Sequence, residues 1–354
     1  MNMREVLDQI AANRPIVNAD FAALDLVNVD LSGGIFHNAD FSGAKLSGRN
    51  MNGCMFVDSK FDGCVIAKPE FSKVSFTKCD MRKMQWNPGE LECVTFAQCR
   101  LNSSCFNNVL VEKSVFVDCD LIGVVFSENN FDTTVLMQNN IEGAHFSGGT
   151  FRNVVWAKSD FSSSLIQIKK LEQVLFVGSV INGWDMQSAE ILRCNFAESS
   201  LRNINFVSAS MNQCIFIDSQ LFACDFRQSN LDQSIFSNAN IVSCDFSGAS
   251  MAFSNFANAA LESNSFNGCQ LSGASFAGAS LTECDFSNAN MDRSNLTLTK
   301  LVNSEFGSVK ANYANTQMIT LSNTNLGGLE SVEAMPDLPG REAAAQLFKQ
   351  RGLI

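Results

Sequence analysis

The sequence predicts an elongated repeat array, a solenoid, and three observations predict it. From Phe21 to Leu326 a large apolar residue recurs at every fifth position, on residue numbers ending in 1 or 6; of these 62 centres only Ala311 and Thr316 fall short. Two residues before each centre stands a small side chain, mostly Ala, Ser, Cys or Val, as at Ala274 before Phe276 and Cys284 before Phe286. No insertion or deletion shifts the frame anywhere in the span. A period of five is neither the 3.6 of a helix nor the 2 of an ordinary strand.

Three segments follow in order. Residues 1–15 predict a helical cap, with Met3 to Ala12 helical, Val6, Leu7 and Ile10 on one face, and Asn13 to Pro15 ending it. Residues 16–328 are the repeats. A large centre beside a small neighbour, both pointing inward, fills a narrow core without voids, and the other three residues face solvent. After Gly327 and Gly328, residues 329–354 predict a loop punctuated by Pro336 and Pro339. A last helix, REAAAQLFKQRGLI, follows, with Gly352 as its C-cap. Both ends need closing, because an open coil exposes apolar centres and unpaired backbone. The last helix either caps the final coil or joins two chains as a homodimer.

The triplets ADF at 39–41, ANI at 239–241 and ANM at 289–291 carry a resemblance. The pattern resembles the pentapeptide-repeat proteins, written A(D/N)LXX, over roughly residues 16–328. The resemblance implies an all-β solenoid, a right-handed quadrilateral β-helix with four pentapeptides per coil. About 15 coils then make a rod on the order of 70 Å long. Residues 20 apart stack, so Phe196, Phe216, Phe236, Phe256 and Phe276 should form one aromatic ladder, and Phe206, Phe226, Phe246, Phe266 and Phe286 another.

Of the 30 Phe, 27 are centres; Phe222, Phe253 and Phe348 are not. Eleven of the 13 Cys (54, 64, 79, 99, 119, 194, 214, 224, 244, 269 and 284) occupy the small inward slot, where they interchange with Ala and Ser. They read as small buried hydrophobes, not as a disulfide framework or metal ligands. The slot is violated at Arg49, Pro69, Asn129, Asn139, Lys169, Trp184 and Asn264. A buried ammonium is costly, so at Lys169 the coil should bulge or the side chain should reach solvent.

Chemistry is absent from the pattern. Only His37 and His145 are present, His145 facing outward, and no phosphate-binding, dinucleotide or H-E-x-x-H motif occurs. No cofactor, no metal and no enzymatic activity are expected. A net charge of -11 disfavours direct nucleic-acid binding. The N-terminus has no apolar signal region, and no run of 18 apolar residues suggests a membrane span. The expected location is the cytoplasm, with signal-less secretion compatible.

Charge is uneven, however. Residues 45–113 carry ten basic and seven acidic residues, whereas residues 203–292 carry eight acidic residues and one basic, Arg227. Asp185, Asp225, Asp245, Asp285 and Glu305 all precede centres of one face and form the candidate interaction surface. The leading expectation is a non-catalytic scaffold or adaptor that binds another protein. The opening REVLDQIAANRPIVNADFAALDLVNVDLSG is similar to the helix-then-repeat start of pentapeptide-repeat regions associated with bacterial type VI secretion. The alternative is a DNA mimic that inhibits or protects DNA gyrase, as some family members do, although the N-terminal half is basic for that role. A further alternative is a secreted bacterial effector.

Overall fold

Four pentapeptides carry the chain once around a square, and each coil lies on the one before it, 20 residues back. The computed structural model describes residues 2–67, 70–86, 89–324 and 326, and over the repeats they form a right-handed parallel β-solenoid. Every strand pairing is in the same register: Phe96 pairs with Phe116, Leu201 with Leu221 and Leu301 with Leu321. The four faces are numbered by their first centres, Ile16, Phe21, Leu26 and Leu31. Residues 329–354, with the predicted loop and helix, lie outside the described residues, as do Pro69, Gly327 and Gly328.

One helix, α1 (Met3–Ala11), closes the first coil. Asn2 caps it: its Oδ1 accepts the Glu5 N–H at 3.0 Å, and Glu5 Oε2 accepts the Asn2 N–H at 2.9 Å. This reciprocal pair satisfies two of the free N–H groups at the helix start. The buried side is Val6, with Met3 and Ile10 partly covered. Leu7 was expected there and instead stands 41% exposed. The i, i+3, i+7 stripe alone reaches the square end of the first coil.

The core is a set of stacked ladders. In the first ladder, rings from Phe196 to Phe276 lie 4.7–5.2 Å apart and within 7° of parallel. The second runs from Phe206 through Phe286 to Phe306 with centroids 4.7–4.9 Å apart. They occupy opposite faces and meet edge-on across the coil, as Phe236 meets Phe246 at 6.2 Å and 88°. Offset stacking along the axis and edge-to-face contact across it are the two arrangements that the ring quadrupole favours.

The inward slot has its own polar ladder, which explains why Cys, Ser and Asn interchange there. Ser104 Oγ donates to the Met81 carbonyl and accepts the Met84 N–H. Asn129 does the same with Phe106 and Val109, Asn139 with Phe116 and Cys119, and Asn264 with Ile241 and Cys244. Cys119 Sγ points to the Phe96 carbonyl. In each case the acceptor lies 23 residues back. Each of these buried polar groups is therefore paired, as the interior requires. The eleven slot cysteines are all buried and free, and burial pushes the Cys54, Cys64, Cys194 and Cys269 thiols up to about 12.

Two violations of the slot resolve by a shift of one residue. Gly48 turns inward in place of Arg49, which stays exposed and bonds Glu70. Ile168, 2% exposed, replaces Lys169, which reaches solvent. Trp184 does enter the core, 2% exposed, edge-on to Phe161 at 5.1 Å and Phe176 at 5.4 Å. The centres near it in the frame, Ile166, Leu171, Ile181 and Met186, are all smaller than Phe.

Candidate interaction surface

The corners decide which side chains each face presents. Most residues two after a centre, on numbers ending in 3 or 8, have φ between +49° and +75°. Glycine and asparagine tolerate this left-handed region best, and they recur at these positions, as at Gly43, Gly63, Asn38 and Asn238. The expectation that the other three residues simply face solvent did not include this requirement.

Each coil has two kinds of side. On strand sides the residues flanking the centre pair along the sheet. On turn sides the residue just before the centre is commonly Asp or Asn, and its side-chain oxygen accepts the N–H two residues on. Asp40 bonds Ser42, Asp160 bonds Ser162, Asn195 bonds Ala197 and Asn255 bonds Ala257 in this way, at 2.8–2.9 Å. Asp and Asn suit this local turn because the short side chain reaches its own backbone.

The predicted acidic column exists. Asp185, Asp225, Asp245, Asp285 and Glu305 lie on the third face with Asn205 and Ser265 between them, joined coil to coil by parallel bridges. Four of the five carboxylates are engaged with their own turns. Asp185 accepts the Gln187 N–H, Asp225 that of Arg227, Asp245 that of Ser247 and Asp285 that of Ser287. Arg227 also donates Nε to Asp225 at 2.9 Å and lies 3.8 Å from Asp245. That side-chain hydrogen bond holds the Asp225 carboxyl below its ordinary value. Burial opposes a low value at Asp285, and hydrogen bonds from Ser287 and Asn267 outweigh it. The column is thus partly neutralised and partly occupied with holding its own corners.

A different surface was not foreseen. On the first face the outward residues fall at 35 and 37 and every 20 thereafter. From Ile35 to Gln317 none of them is Asp, Glu, Lys or Arg, in a chain that is 17% charged. The stretch Val115, Val117, Val135, Met137, Val155 and Leu175 is aliphatic throughout and partly exposed. The signal was legible by reading the outward positions in columns of 20.

Three described aromatics outside the frame, Phe222, Phe253 and Tyr313, are also exposed. Phe222 is 43% exposed under the Arg202 guanidinium, 5.6 Å from its ring. Phe253 is 70% exposed and lies over Gly273, beside a shallow hollow of about 540 Å³ that Arg293 and Tyr313 also line. Among the described residues no group of three or more His, Cys, Asp or Glu is arranged to hold a metal ion, and no helix is long and apolar enough to cross a membrane.

Family models describe the same repeat. The pentapeptide repeat region matches residues 29–104, 89–176 and 259–335, and the eight-copy pentapeptide repeats match 189–228 and 219–252. Among solved structures the chain is similar to trypsin-treated QnrB1, a plasmid-mediated fluoroquinolone resistance protein. The identity is 16% over 51% of this chain and 88% of that one, with a TM-score of 0.35. HetL, involved in heterocyst differentiation regulation in the cyanobacterium Nostoc, is 14% identical over 73% of this chain and 91% of that one, with a TM-score of 0.27. A protein from the Arabidopsis thaliana thylakoid lumen is 25% identical over 34% of this chain and 75% of that one, with a TM-score of 0.19. No curated protein sequence matches this chain.

Proposed function

Because the chain belongs to the pentapeptide-repeat family, we propose that it is a non-catalytic scaffold that binds another protein along its outer faces. The observation that carries this reading is the segregation of side chains by face. A stiff coil stacks residues 20 apart, so a column of like side chains becomes a continuous strip along a face. Rods of this kind bind through extended surfaces instead of pockets. The third face offers the acidic column, the first an uncharged strip, and the fourth mixed pairs such as Lys170–Glu190 and Arg193–Glu172. In its finer form, suggested by the helix-then-repeat opening, the scaffold is an adaptor of type VI secretion.

The experiment is affinity capture with the full chain and with variants altered on one face at a time. The scaffold reading expects a captured protein whose binding is lost with one face and kept with the others. Equal capture by every variant, or none above a control rod, sinks it.

A second reading, a DNA mimic acting on DNA gyrase, is favoured by the acidic column. Magnitudes weigh against it. Six coil steps from Asp185 to Glu305 span about 29 Å. Five carboxylates less Arg227 leave a net charge every ~7 Å, against one per ~1.7 Å of duplex. A supercoiling assay decides: inhibition or drug protection by the wild type, lost when Asp225, Asp245 and Asp285 become Asn, would put mimicry first.

A further inference from the structure

We propose that the uncharged first face is a homodimer interface, on which a second copy of this chain seats face to face with the two rods parallel. The pairing does not depend on what the other three faces bind.

Sheet geometry alone does not call for such a face. The second face forms an equally regular sheet from Val180–Asn182 to Thr320–Ser322, and its outward positions carry Arg202, Glu262 and Lys300. Corner chemistry does not call for it either. Where the first face has turn sides, the cap is Asn195, Asn255, Asn295 or Asn315, each accepting the N–H two residues on. The same cap is Asp at Asp40 and Asp160 on the second face and at Asp225, Asp245 and Asp285 on the third. Asp and Asn cap about equally well. On this one face the neutral form stands at every such corner, as a surface that loses water on association demands.

Shape selects the occupant. The strip from Ile35 to Gln317 is about 65 Å long and about 10 Å wide, from coil and strand spacings. That is roughly 650 Å², and the flanking corners bring it near the roughly 800 Å² per partner of a standard interface. A globular partner would cover a fraction of so long and narrow a strip. An identical rod repeats with the same pitch and covers all of it. Contiguous apolar patches rimmed by polar residues mark contact surfaces, and the aliphatic stretch from Val115 to Leu175 is such a patch within the strip.

The rims set the direction. Lys73, Lys113, Arg193 and Arg293 stand along one edge; Asp58, Asp118, Glu198 and Asp218, with Lys78 and Lys158, stand along the other. A two-fold axis along the rods brings opposite edges together at the same height, so that Lys113 faces Asp118 and Arg193 faces Glu198 across the interface, against one like-charged match, Lys73 with Lys78. Lys113 and Arg193 keep their bonds to Glu112 and Glu172 on the far side. An antiparallel pair would set each edge against itself.

Sedimentation equilibrium of the full chain tests the proposal. The expected mass is twice the 38.6 kDa of one chain. Val135→Lys, and Asn255→Asp, which keeps the corner cap and adds only charge, should each weaken association about tenfold or more. Circular dichroism should stay as in the wild type, which shows that the fold is kept. Lys113→Glu should weaken the dimer, and adding Asp118→Lys should restore it. A wild type that remains monomeric at roughly 100 µM overturns the proposal. So does a dimer indifferent to Val135→Lys and Asn255→Asp, since its interface lies elsewhere. Failure of the charge swap to restore association overturns the parallel arrangement.

Discussion

The N-terminal and C-terminal coils are built from the same five-residue unit and turn their corners differently. Up to about residue 165 strands run along the first, third and fourth faces, and the second face is the turn side, capped by Asp20, Asp40, Asp120 and Asp160. After residue 180 the arrangement inverts. The second face becomes an eight-stranded sheet, and the other three turn, the fourth only after its last strand at Glu190–Leu192, capped by residues such as Asn205, Asp225, Asn230, Asp245 and Asn290. The residue before the centre therefore chooses the side. On the second face the acids stop at Asp160, Val180, Ser200 and Gln220 follow, and the sheet begins. The choice is made by the column, not by one residue. Asn240 sits in that sheet between Gln220 and Ala260, paired to both. Coils bonded above and below hold it in the strand.

The changeover falls where the core is irregular. The third-face ring stack ends at Phe146 and resumes at Phe206, and Trp184 lies in the coils between, edge-on to Phe161 and Phe176. The largest expected effect is therefore Trp184→Ala, which removes an indole that smaller centres cannot replace and should cost about 3–5 kcal/mol. Calorimetry should then resolve two transitions, one for each set of coils. One shifted transition would show that the two halves are a single cooperative body despite their different corners.

Within one half, Phe236→Ala should cost about 3–5 kcal/mol as well, without splitting the transition. Its outward neighbour Ser237→Ala should change stability by under about 0.5 kcal/mol. Denaturant melts showing equal effects at the two positions would contradict the inward assignment.

Caps sharpen the comparison further. Asp40→Ala, on a turn side of the first half, and Asn255→Ala, on a turn side of the second, should each cost about 0.5–2 kcal/mol, as lost caps do. Asn240→Ala, on the strand side, should be nearly neutral in the same melts. A loss at Asn240 as large as at Asn255 would break the link between cap and corner.

The smallest effect is electrostatic. Asp225 has a depressed folded value, so its contribution is present above the ordinary carboxylate value near ~3.9 and is lost as pH falls through the depressed one. Acid titration of stability should show this loss in the wild type, and Asp225→Asn should lack it. At neutral pH the triple change of Asp225, Asp245 and Asp285 to Asn should cost under about 0.5 kcal/mol, since Asn retains the caps.

The period made most of the fold legible. A centre every five residues, with a small slot before it, names an inward and an outward set, and the ladders at Phe236 and Phe246 follow. The corners were harder. Residues with left-handed φ such as Lys113 and Gln213 carry no compositional mark, and only the columns of Gly and Asn betray the position. The one-residue shifts at Gly48 and Ile168 leave the frame intact on either side, so counting cannot find them. A charged residue in the slot with a small or apolar one just before it is the sign to look for. The acidic column was visible because charge draws attention. The first face was not, because its signal is the lack of charge at positions 20 apart.

The unbroken frame also governs how such a chain can change in length over evolution. Gain or loss of 20 residues, for instance 231–250, adds or removes a whole coil and returns every later side chain to its own column. Gain or loss of five preserves the inward pattern while rotating everything downstream by a quarter turn. Asp285 and Glu305 would then continue a different side of the rod from Asp185 and Asp225, and the uncharged strip would be cut in two. The fold tolerates both events, since each keeps centres and slots in phase. A surface that depends on one continuous side tolerates only the first. Duplication in whole coils is therefore the route by which this architecture can lengthen without surrendering what its sides display.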